Sequence, residues 1–571
     1  MKNRAVFALC GLLFLSVAYP SSSLKAQLVS GDTGQFTSED PYMEYVKGVE
    51  TFGNLIRDLK LYYIDSLSTQ DLYKNGIRGI LSGLDPYCEY YSAQEEEALR
   101  LITTGEYGGV GAVVMPGADS SVMVARVFKG KPAQLAGVRP GDVIMKIDGK
   151  DFSKSDVQSV SEALKGNPEK QISLELLRRG ESKPVFLKFL RKRIQIEPIT
   201  YFDVRPHSRI GYISIDTFND KTVSAFDAAL SELKQKTELE GLIIDLRGNG
   251  GGLMAQAVGI LNHFLPNGTE IASLRGRNNR VSSVYRTNAE PTDLHLPVVV
   301  LINSETASTS ELLAGALQDH DRAVIVGRKS FGKGIVQMTS EMPYGGKLKF
   351  TVSRYHIPSG RCVQRIDYST RSADGREMKT QKQQPDSLHR AFYTKSGRIQ
   401  HEAGGISPDL EVEADSAKAI SYFVAGSYLL QDYATDYHRK HKTIAQPHLF
   451  TLSDQEYEEL VQRLSVPEFK YELRSPVYLE RLREWAESEG FLPEASGAFD
   501  SLSQLLKPDK ERDLRRYKDQ VKESVEEAII SRYYFEDGLI QHRLRRDKDV
   551  ETAMRLLVNP EQYRNLLHPA K

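Results

Sequence analysis

The stretch that decides the fold of this chain reads Ile243-Ile244-Asp245-Leu246-Arg247-Gly248-Asn249-Gly250-Gly251-Gly252. Its apolar residues predict a buried strand, its glycines predict a turn, and a helical pattern begins at Leu253. Strand-like and helical runs alternate on both sides, which predicts a layered α/β domain. The strand-like runs are Ile210 to Ile215, Leu242 to Leu246, Val298 to Ile302 and Ala323 to Val326, and the helical runs are Ser224 to Lys234, Leu253 to Phe264 and Ser308 to Leu317.

The Gly-rich turn and two later segments carry candidate catalytic groups. Backbone amides at a helix start form a ready oxyanion site, and the helix at Leu253 begins directly after the turn. Ser308 follows an apolar strand and opens a helix, which places its hydroxyl near positive amide dipoles. Lys333 stands between glycines and near apolar side chains, and a desolvated lysine with a lowered pKa can replace histidine as the base.

Each of these residues also has an ordinary structural interpretation. Ser308 at a helix start is commonly an N-cap, and Ser304, Thr306 and Ser310 would serve equally well. Lys333 taken alone is typical of a solvated loop. No histidine stands in an obvious triad context, and the sequence has no Gly-x-Ser-x-Gly elbow. The catalytic interpretation therefore depends on all three segments occurring together and in order.

A module of short β-type runs separated by Gly and Pro turns spans residues 104–192. Its β-type runs are Val110 to Met115, Ser121 to Val127, Asp142 to Asp148, Ile172 to Leu177 and Val185 to Leu190. A short helix, a Gly turn and a strand that opens with Gly-Asp resemble the PDZ signature. They lie in the stretch Pro132-Ala133-Gln134-Leu135-Ala136-Gly137-Val138-Arg139-Pro140-Gly141-Asp142-Val143-Ile144.

The PDZ resemblance implies capture of protein or peptide substrates by their C-termini. The ligand carboxylate would sit on the backbone amides of Gly109, Val110 and Gly111, beside a helix over Val157 to Leu164. A Gly-rich turn without a ligand is the plain alternative. A phosphate loop is disfavoured because the Gly-Lys-Ser/Thr ending is missing.

The composition bounds the classes of function. The chain has 571 residues, which predicts several domains, and its 40% hydrophobic content is typical of a soluble protein. A formal net charge of −1 argues against nucleic acid as the main partner, because phosphate binding needs a basic excess. Apart from Cys10 in the apolar N-terminal run, the chain has only Cys88 and Cys362, which are too few for a disulfide framework. We expect two buried free thiols, with a Cys88–Cys362 pair as the alternative. No Cys/His cluster indicates a metal, and no cofactor is implied.

The N-terminus reads as a signal peptide over residues 1–26. Lys2 and Arg4 precede an apolar run from Ala5 to Tyr19, and Ala26 offers a small residue for cleavage. The run is shorter than the roughly 20 apolar residues that a membrane span needs. We expect an exported protein, periplasmic or extracytoplasmic, with an uncleaved membrane anchor as the alternative.

Over about Asp40 to Val412 the chain resembles the carboxy-terminal processing peptidases, also called tail-specific proteases. Beyond the segments above, the resemblance includes Leu84-Asp85-Pro86, Tyr355-His356-Ile357-Pro358-Ser359-Gly360-Arg361 and Gly405-Ile406-Ser407-Pro408-Asp409. It implies a serine endopeptidase with a crotonase-like or ClpP-like α/β core, an acyl-enzyme and no cofactor. Ser308 matches the family's nucleophile, Lys333 its base, and Gln337 the residue that orients the lysine. The oxyanion donors would be the backbone amides of Gly252 and Thr309.

The predicted organisation is a signal peptide (1–26), an N-terminal helical region (27–103), a PDZ domain (104–192), a Ser/Lys peptidase core (193–415) and a helical C-terminal region (416–571). A polar insert at about 366–400, expected as a surface loop, and the long helical tail depart from a minimal family member. The helical regions offer surfaces for a homo-oligomer or an adaptor protein. Two other classes stay open. A non-catalytic scaffold would lack Ser308 or Lys333, and a crotonase-like acyl-CoA enzyme would not carry a PDZ insert.

Overall fold

The computed structural model describes residues 41–95, 100–101, 104–368, 390–402, 404–414 and 418–568. The predicted signal peptide lies outside these residues. The chain divides into two compact units. Unit 1 comprises residues up to 104, 204–410 and 556–571, and unit 2 comprises 105–203 and 411–555. Within the described residues, no helix combines the length and the apolar character needed to cross a membrane.

The strands are numbered here in chain order. They are β1 (Glu89–Tyr91), β2 (Glu106–Gly109), β3 (Ala112–Pro116), β4 (Val122–Val127), β5 (Val143–Ile147), β6 (Lys150–Asp151), β7 (Gln171–Leu177), β8 (Val185–Leu190), β9 (Lys192–Gln195), β10 (Ile199–Val204), β11 (Ile210–Ile215), β12 (Gly241–Asp245), β13 (Glu270–Arg275), β14 (Val281–Arg286), β15 (Val298–Ile302), β16 (Ala323–Gly327), β17 (Ile335–Glu341), β18 (Lys347–His356), β19 (Ala391–Tyr393), β20 (Ile399–His401) and β21 (Leu410–Glu411).

The helices are numbered in the same way. They are α1 (Pro41–Tyr62), α2 (Thr69–Ser82), α3 (Pro132–Leu135), α4 (Val157–Leu164), α5 (Thr222–Lys236), α6 (Met254–Leu261), α7 (Thr309–Asp319), α8 (Ala419–Ala425), α9 (Tyr428–Lys440), α10 (Asp454–Leu464), α11 (Arg474–Ser488), α12 (Leu492–Leu505), α13 (Lys510–Arg516), α14 (Lys518–Arg543), α15 (Lys548–Leu557) and α16 (Pro560–Leu567).

Unit 1 centres on the parallel strands β11-β12-β15-β16, in that order. Strands β12, β15 and β16 are buried along their whole length, as their unbroken apolar runs require in a parallel sheet. The strands and helices predicted for this region are all present. Asp245 at the end of β12 pairs with Leu301 near the end of β15. The Gly-rich turn and the Ser308 turn therefore leave the same edge of the sheet side by side.

A second, antiparallel sheet in unit 1 was not predicted from the sequence. Its strands run β1-β18-β13-β14, with β17 also paired to β18. Much of it faces solvent, and β14 is exposed along nearly its whole length, so these strands lack the apolar runs that mark the parallel sheet. This sheet matters for the site because β17 begins two residues after Lys333 and β1 begins two residues after Tyr87.

Unit 2 contains the predicted β module. Its sheet runs β3-β4-β5-β7-β8, with β6 paired to β5, and β2 pairs with β9 in a separate ribbon. Helix α4, predicted as the flank of a peptide groove, has the expected bounds. Inward-facing residues of the strands and of α4 form one hydrophobic cluster, which includes Val110, Val124, Val160 and Ile172. The strands predicted over this module are confirmed.

The helix-rich tail predicted from the sequence is also confirmed, and most of it belongs to unit 2. Helices α8 to α10, α13 and α14 share a second hydrophobic cluster. Phe535 interrupts α14 with φ 55° and packs against the hydrophobic cluster of the β module. Arg179 of the module pairs with Asp432 at 2.7 Å and with Asp436 at 2.8 Å, both on α9. The β module and the helical region therefore pack together within one unit.

The last helix, α16, belongs instead to unit 1. The hydroxyl of Tyr563 lies 3.0 Å from the amide nitrogen and 3.0 Å from the carbonyl oxygen of Val298. It therefore satisfies the backbone of β15 at the end of the strand that is farther from Ser308. The tail thus completes the α/β unit, which the sequence analysis did not anticipate.

The polar insert is not entirely a surface loop. Of the insert predicted at about 366–400, the described residues from 390 onward belong to the antiparallel hairpin β19–β20. Phe392 and Gln400 on this hairpin are buried, and Gln400 accepts a 2.9 Å hydrogen bond from the buried guanidinium of Arg361. The surface-loop prediction is wrong for this segment because one apolar and one amide side chain anchor it to unit 1. Cys88 and Cys362 are both buried and free, as expected.

Candidate active site

Ser308 occupies a strained position at the start of α7. It is the N-cap residue, with φ 60° and ψ −118°, a conformation that costs a residue other than glycine about 1–3 kcal/mol. The residue is fully buried, and its Oγ has no hydrogen-bond partner among the described residues. The hydroxyl is therefore not used as a helix cap. A strained backbone that leaves a hydroxyl unpaired is typical of a nucleophile rather than of a structural serine.

The Gly-rich turn packs directly against Ser308. Gly251 has φ +99°, and a Cβ at this position would lie 2.8 Å from the Cβ of Ser308 and 2.9 Å from the amide nitrogen of Thr309. Glycine is therefore required here for both its conformation and its size. Thr309 Oγ1 donates a 2.8 Å hydrogen bond to the carbonyl of Gly252, which joins the turn to the start of α7.

The two predicted oxyanion donors lie in this junction. Gly252 has φ +145°, and a Cβ there would meet the carbonyl oxygen of Phe218 at 2.2 Å. Within the described residues, no backbone or side-chain acceptor takes a hydrogen bond from the amide of Gly252 or of Thr309. Both amides therefore remain available to an acceptor on a substrate.

Lys333 is 1% exposed and lies on the loop that enters β17. Its Nζ lies 4.0 Å from the centroid of the Tyr87 ring, within the range of a cation–π contact. Tyr87 follows the Leu84-Asp85-Pro86 turn, and its amide donates a 3.0 Å hydrogen bond to Oδ1 of Asp85. This turn is part of the family resemblance, but Tyr87 was not predicted from the sequence to be a site residue.

Gln337 lies on β17, four residues after Lys333, and is fully buried. Its Nε2 donates a 3.0 Å hydrogen bond to Oγ1 of Thr351 on the neighbouring strand β18. That bond fixes the orientation of the amide. Its Oε1 has no partner among the described residues, so one acceptor remains available inside the protein.

Glu311, in the first turn of α7, joins the nucleophile segment to the lysine segment. Its Oε2 accepts 2.8 Å hydrogen bonds from the amides of Ser308 and Lys333. Its Oε1 accepts bonds of 2.5 Å from Oγ of Ser330 and 2.7 Å from the amide of Gly332. Burial raises the pKa of Glu311 despite these hydrogen bonds, each of which acts to lower it. Glu311 was not among the site residues predicted from the sequence.

Tyr355 on β18 contacts the same two segments from their carbonyl side. Its hydroxyl lies 3.0 Å from the carbonyl oxygen of Ser308 and 3.1 Å from that of Lys333, so the two carbonyls share one donor. Burial raises the pKa of Tyr355 well above its usual value, which keeps the phenol protonated. The sequence analysis quoted Tyr355 within a motif without assigning it a function.

The predicted carboxylate loop lies in unit 2, between β2 and β3. Gly111 has φ +74°, and a Cβ there would meet Cβ of Lys131 at 2.5 Å. The carbonyls of Val110 and Gly111 accept hydrogen bonds from Ala133 and Phe128. Within the described chain, the amides of Val110 and Gly111 have no acceptor, whereas Gly109 belongs to β2 and pairs with Lys192.

Family models match separate parts of the chain. "Peptidase family S41" matches residues 209–369, "PDZ domain" matches 123–178, and "Probable PDZ-protease, C-terminal helical domain" matches 420–557. The "Carboxy-terminal-processing protease" of Bartonella bacilliformis is 36% identical over 371 residues, which are 64% of this chain and 81% of that protein. A "Probable CtpA-like serine protease" of Staphylococcus aureus is 31% identical over 312 residues, which are 54% of this chain and 61% of that protein.

The chain was also compared with solved structures. The photosystem II D1 C-terminal processing protease has 26% sequence identity and a TM-score of 0.35, and the match covers 65% of this chain and 92% of that one. Together, the fold and the family matches define a serine protease that carries a PDZ domain. The chain belongs to the carboxy-terminal-processing protease family within peptidase family S41. This confirms the predicted family, fold class and enzyme class, and it removes the scaffold and acyl-CoA alternatives.

Proposed function

We propose that this protease cuts its substrates with a Ser308–Lys333 dyad. The carrying observation is a shared anchor: the amides of Ser308 and Lys333 both donate to Oε2 of Glu311 at 2.8 Å. The two amide nitrogens therefore lie no more than twice 2.8 Å apart. Both residues are buried, and the Ser308 hydroxyl has no partner among the described side chains. The shared anchor thus brings together the two segments that carry the hydroxyl and the buried lysine, and Ser/Lys chemistry needs these two groups within reach of each other.

The reaction follows from these two groups. Ser308 Oγ attacks the scissile carbonyl carbon while unprotonated Nζ of Lys333 takes the hydroxyl proton. The tetrahedral intermediate collapses, the C–N bond breaks, and the Lys333 ammonium returns its proton to the leaving amine. The remaining ester is the acyl-enzyme. Water, deprotonated by Lys333, then attacks the ester carbonyl, and the Ser308 hydroxyl regains its proton as the acid product leaves.

The transition state needs donors for the developing oxyanion. The amides of Gly252 and Thr309 flank the nucleophile and have no acceptor among the described residues. Two such donors, fixed before the reaction, are worth about 10²–10³ each in turnover when removed one at a time. Gln337 lies four residues beyond the base, and its unpaired Oε1 would accept a hydrogen bond from Nζ of Lys333, which would hold the amine in place for proton transfer. The role of Gln337 is positioning rather than proton transfer.

The PDZ domain would select substrates by their C-termini. A carboxylate on the amide nest at Gly109, Val110 and Gly111 would be bound by backbone donors, with the peptide extended along β3 beside α4. The base of the Lys131 side chain packs against Gly111, while its Nζ lies 4.0 Å from a carboxylate oxygen of Glu197. The amides of Val110 and Gly111, which have no acceptor among the described residues, support a preference for an anionic chain end over an internal segment.

Export and assembly are further parts of the proposal. A signal peptide over 1–26 would send the protease to the periplasm or another extracytoplasmic compartment. The proposed parts that follow it are the N-terminal helical region (27–103), the PDZ domain (104–192), the peptidase core (193–415) and the helical C-terminal region (416–571). Large apolar side chains on the surface of the helical regions, such as Tyr45, Trp485 and Leu505, support a homo-oligomer or an adaptor contact there.

A comparison of released fragments tests the proposed function. Wild-type enzyme and the Ser308→Ala variant are each incubated with an unfolded protein mixture, and mass spectrometry identifies the products. We expect fragments that carry the original substrate C-termini from the wild type only. If Ser308→Ala released the same fragments as the wild type, Ser308 would be ruled out as the nucleophile. If the fragments came evenly from all parts of the substrates, selection of substrates by their C-termini would be ruled out.

A further inference from the structure

Two buried side chains each hold both members of the proposed dyad. Glu311 binds the backbone amides of Ser308 and Lys333, and Tyr355 binds their backbone carbonyls. The nucleophile and the base are thus tied to each other twice, once through a carboxylate oxygen and once through a phenol. The side chains of Glu311 and Tyr355 reach the backbone of Ser308 and Lys333, so these contacts fix the positions from which the two reacting side chains extend.

Glu311 also closes the loop that carries the base. Its second oxygen binds Ser330 and Gly332, so a single carboxylate takes four donors, three of them from residues 330–333. Glu311 is fully buried, where charge-assisted hydrogen bonds gain strength from the low dielectric. Its place in the first turn of α7 adds the favourable field of the helix N-terminus.

Tyr355 acts from the opposite side. Tyr355 is fully buried on β18, so its hydroxyl has no contact with solvent. Because burial raises the pKa of the phenol, the hydroxyl stays protonated and acts as a neutral donor. Strand β18 pairs with β17, which carries Gln337. Through its phenol, Tyr355 therefore links the proposed nucleophile and base to the antiparallel sheet that also carries Gln337.

We propose that Glu311 and Tyr355 are positioning residues that set the distance between Ser308 Oγ and Lys333 Nζ. The inference rests on the proposed dyad. Reacting groups must be held in a near-attack geometry, and a displacement of about 1 Å can cost about 10²-fold in rate. Neither side chain exchanges a proton with substrate, so both act only through the two residues that they hold.

The test uses full-length Glu311→Gln and Tyr355→Phe enzymes with a small ester substrate. Glu311→Gln keeps the size of the side chain but turns an NH₂ group toward backbone donors. Tyr355→Phe keeps the ring and deletes the shared donor. We expect kcat per folded molecule to fall about 100-fold and about 10-fold respectively, with KM within about threefold of wild type. The rate at which a fluorophosphonate labels Ser308 should fall in parallel with kcat.

Matched controls separate positioning from stability. Tyr563→Phe deletes another buried hydroxyl that bonds the backbone of unit 1, but at the opposite end of β15 from Ser308. Glu526→Gln alters another buried carboxylate, which binds the amide of Leu452 and the side chain of Thr451 in unit 2. Both controls should lower the melting temperature while kcat per folded molecule stays unchanged.

The outcomes distinguish the two proposals. If Ser308→Ala or Lys333→Ala retains activity, the dyad itself is wrong. If those variants are inactive while Glu311→Gln and Tyr355→Phe change kcat no more than the controls, only the positioning proposal is overturned. Should Glu311→Gln fail to fold, Tyr355→Phe decides alone. A loss of kcat in Tyr355→Phe beyond that in Tyr563→Phe supports the proposal, and an equal loss overturns it.

Discussion

Lys333 Nζ lies over the face of the Tyr87 ring, 4.0 Å from its centroid. The ring comes from the segment that enters β1, far from Lys333 along the chain. It covers the amine with an apolar surface and also offers the π-electron density that attracts a cation. In the proposed mechanism Lys333 gains and loses a proton in each half-reaction, and this ring would hold the amine in one place in both of its charge states.

Replacing Tyr87 should therefore impair the base. We expect Tyr87→Phe, which keeps the ring, to retain kcat/KM within about threefold, and Tyr87→Ala to lose about 10-fold, as expected for a contact worth about 1–2 kcal/mol. Hydrolysis of a small ester measures both. The matched control is Tyr91→Ala, because Tyr91 lies beside Lys349 in the same sheet with 5.7 Å between the amine and the ring centroid. Equal losses in Tyr87→Ala and Tyr91→Ala would contradict the role of Tyr87.

The dyad should behave as one unit. We expect Ser308→Ala and Lys333→Ala each to abolish peptide hydrolysis, and the double variant to be no worse than either, because neither residue works without the other. Gln337→Ala should lose less, since it positions the amine and does not react. Initial rates on an unfolded substrate measure this, with circular dichroism to check the fold. An additive loss in the double variant would show two independent contributions.

Much of this site was accessible from the sequence because its parts are local. A buried strand, a Gly-rich turn and a helix start can each be read from a short stretch. Parallel strand order then brings the turns after β12 and β15 together. Ser308 and Lys333 could therefore be identified as candidates from their own segments, whereas Gln337 came only from the family resemblance. The conformation of Ser308 and the fit of Gly251 against it are consistent with that interpretation.

Glu311, Tyr87 and Tyr355 were not predicted because each contacts residues that lie far from it in the sequence. Glu311 looks like an ordinary capping-box glutamate three residues after a helix-start serine, and three of its donors come from 19 to 22 residues downstream. Tyr87 and Tyr355 reach the site only through the second sheet, whose polar, half-exposed strands carry no clear periodicity. Nothing local distinguishes a tyrosine that faces a lysine from one that packs in a core.

The raised pKa of Glu311 predicts opposite pH effects on activity and stability. Because burial raises its folded pKa above the unfolded value, its contribution to stability is full below the unfolded pKa and is lost as pH rises through the folded pKa. Activity should instead rise over that interval, because only the carboxylate accepts all four donors. The charge of Glu311 also acts on Tyr355 and Cys362, and burial raises the pKa of both.

The measurement is a pair of pH profiles, ester hydrolysis and melting temperature, for wild type and Glu311→Gln. The variant cannot ionise at this position, so its profiles should lack the wild-type change on the acid side. Tyr355→Phe should retain that change at lower overall activity. If the pH–activity profile of Glu311→Gln, scaled to the same maximum, overlaid that of the wild type, the change on the acid side would belong to a group other than Glu311.

The packing of the PDZ domain on the helical region predicts that unit 2 responds to heat as one body. Phe535→Ala should lower its stability by about 1–3 kcal/mol through lost burial. Arg179→Ala should cost about 1 kcal/mol or less, because its ion pairs are partly exposed. In calorimetry of the full-length Phe535→Ala variant, the PDZ domain and the helical region should unfold in separate transitions, whereas in the wild type they should unfold in one. The control is Phe186→Ala, because Phe186 is 71% exposed. This variant should change neither the stability of unit 2 nor the number of thermal transitions.

The final prediction concerns how the PDZ domain reads a substrate. The amides of Val110 and Gly111 are unpaired among the described groups, and Gly111 adopts a φ that favours glycine. Such a nest binds a free carboxylate but gains no charge–dipole energy from a carboxamide. Amidating the C-terminus of a protein substrate should therefore weaken cleavage at least about 10-fold, mainly through KM. Hydrolysis of a small ester, which carries no peptide end, should not change.

Gly111→Ala supplies the reciprocal test, since the added Cβ would meet Lys131 at 2.5 Å and distort the nest. This variant should cut the free-acid substrate as poorly as wild type cuts the amidated one, while its ester hydrolysis stays normal. The two losses should not add, because amidation and Gly111→Ala remove the same interaction. Equal cleavage of free-acid and amidated substrates by the wild type would refute C-terminal reading at this loop. The Ser308–Lys333 assignment would survive that result, because the two proposals rest on different residues in different units.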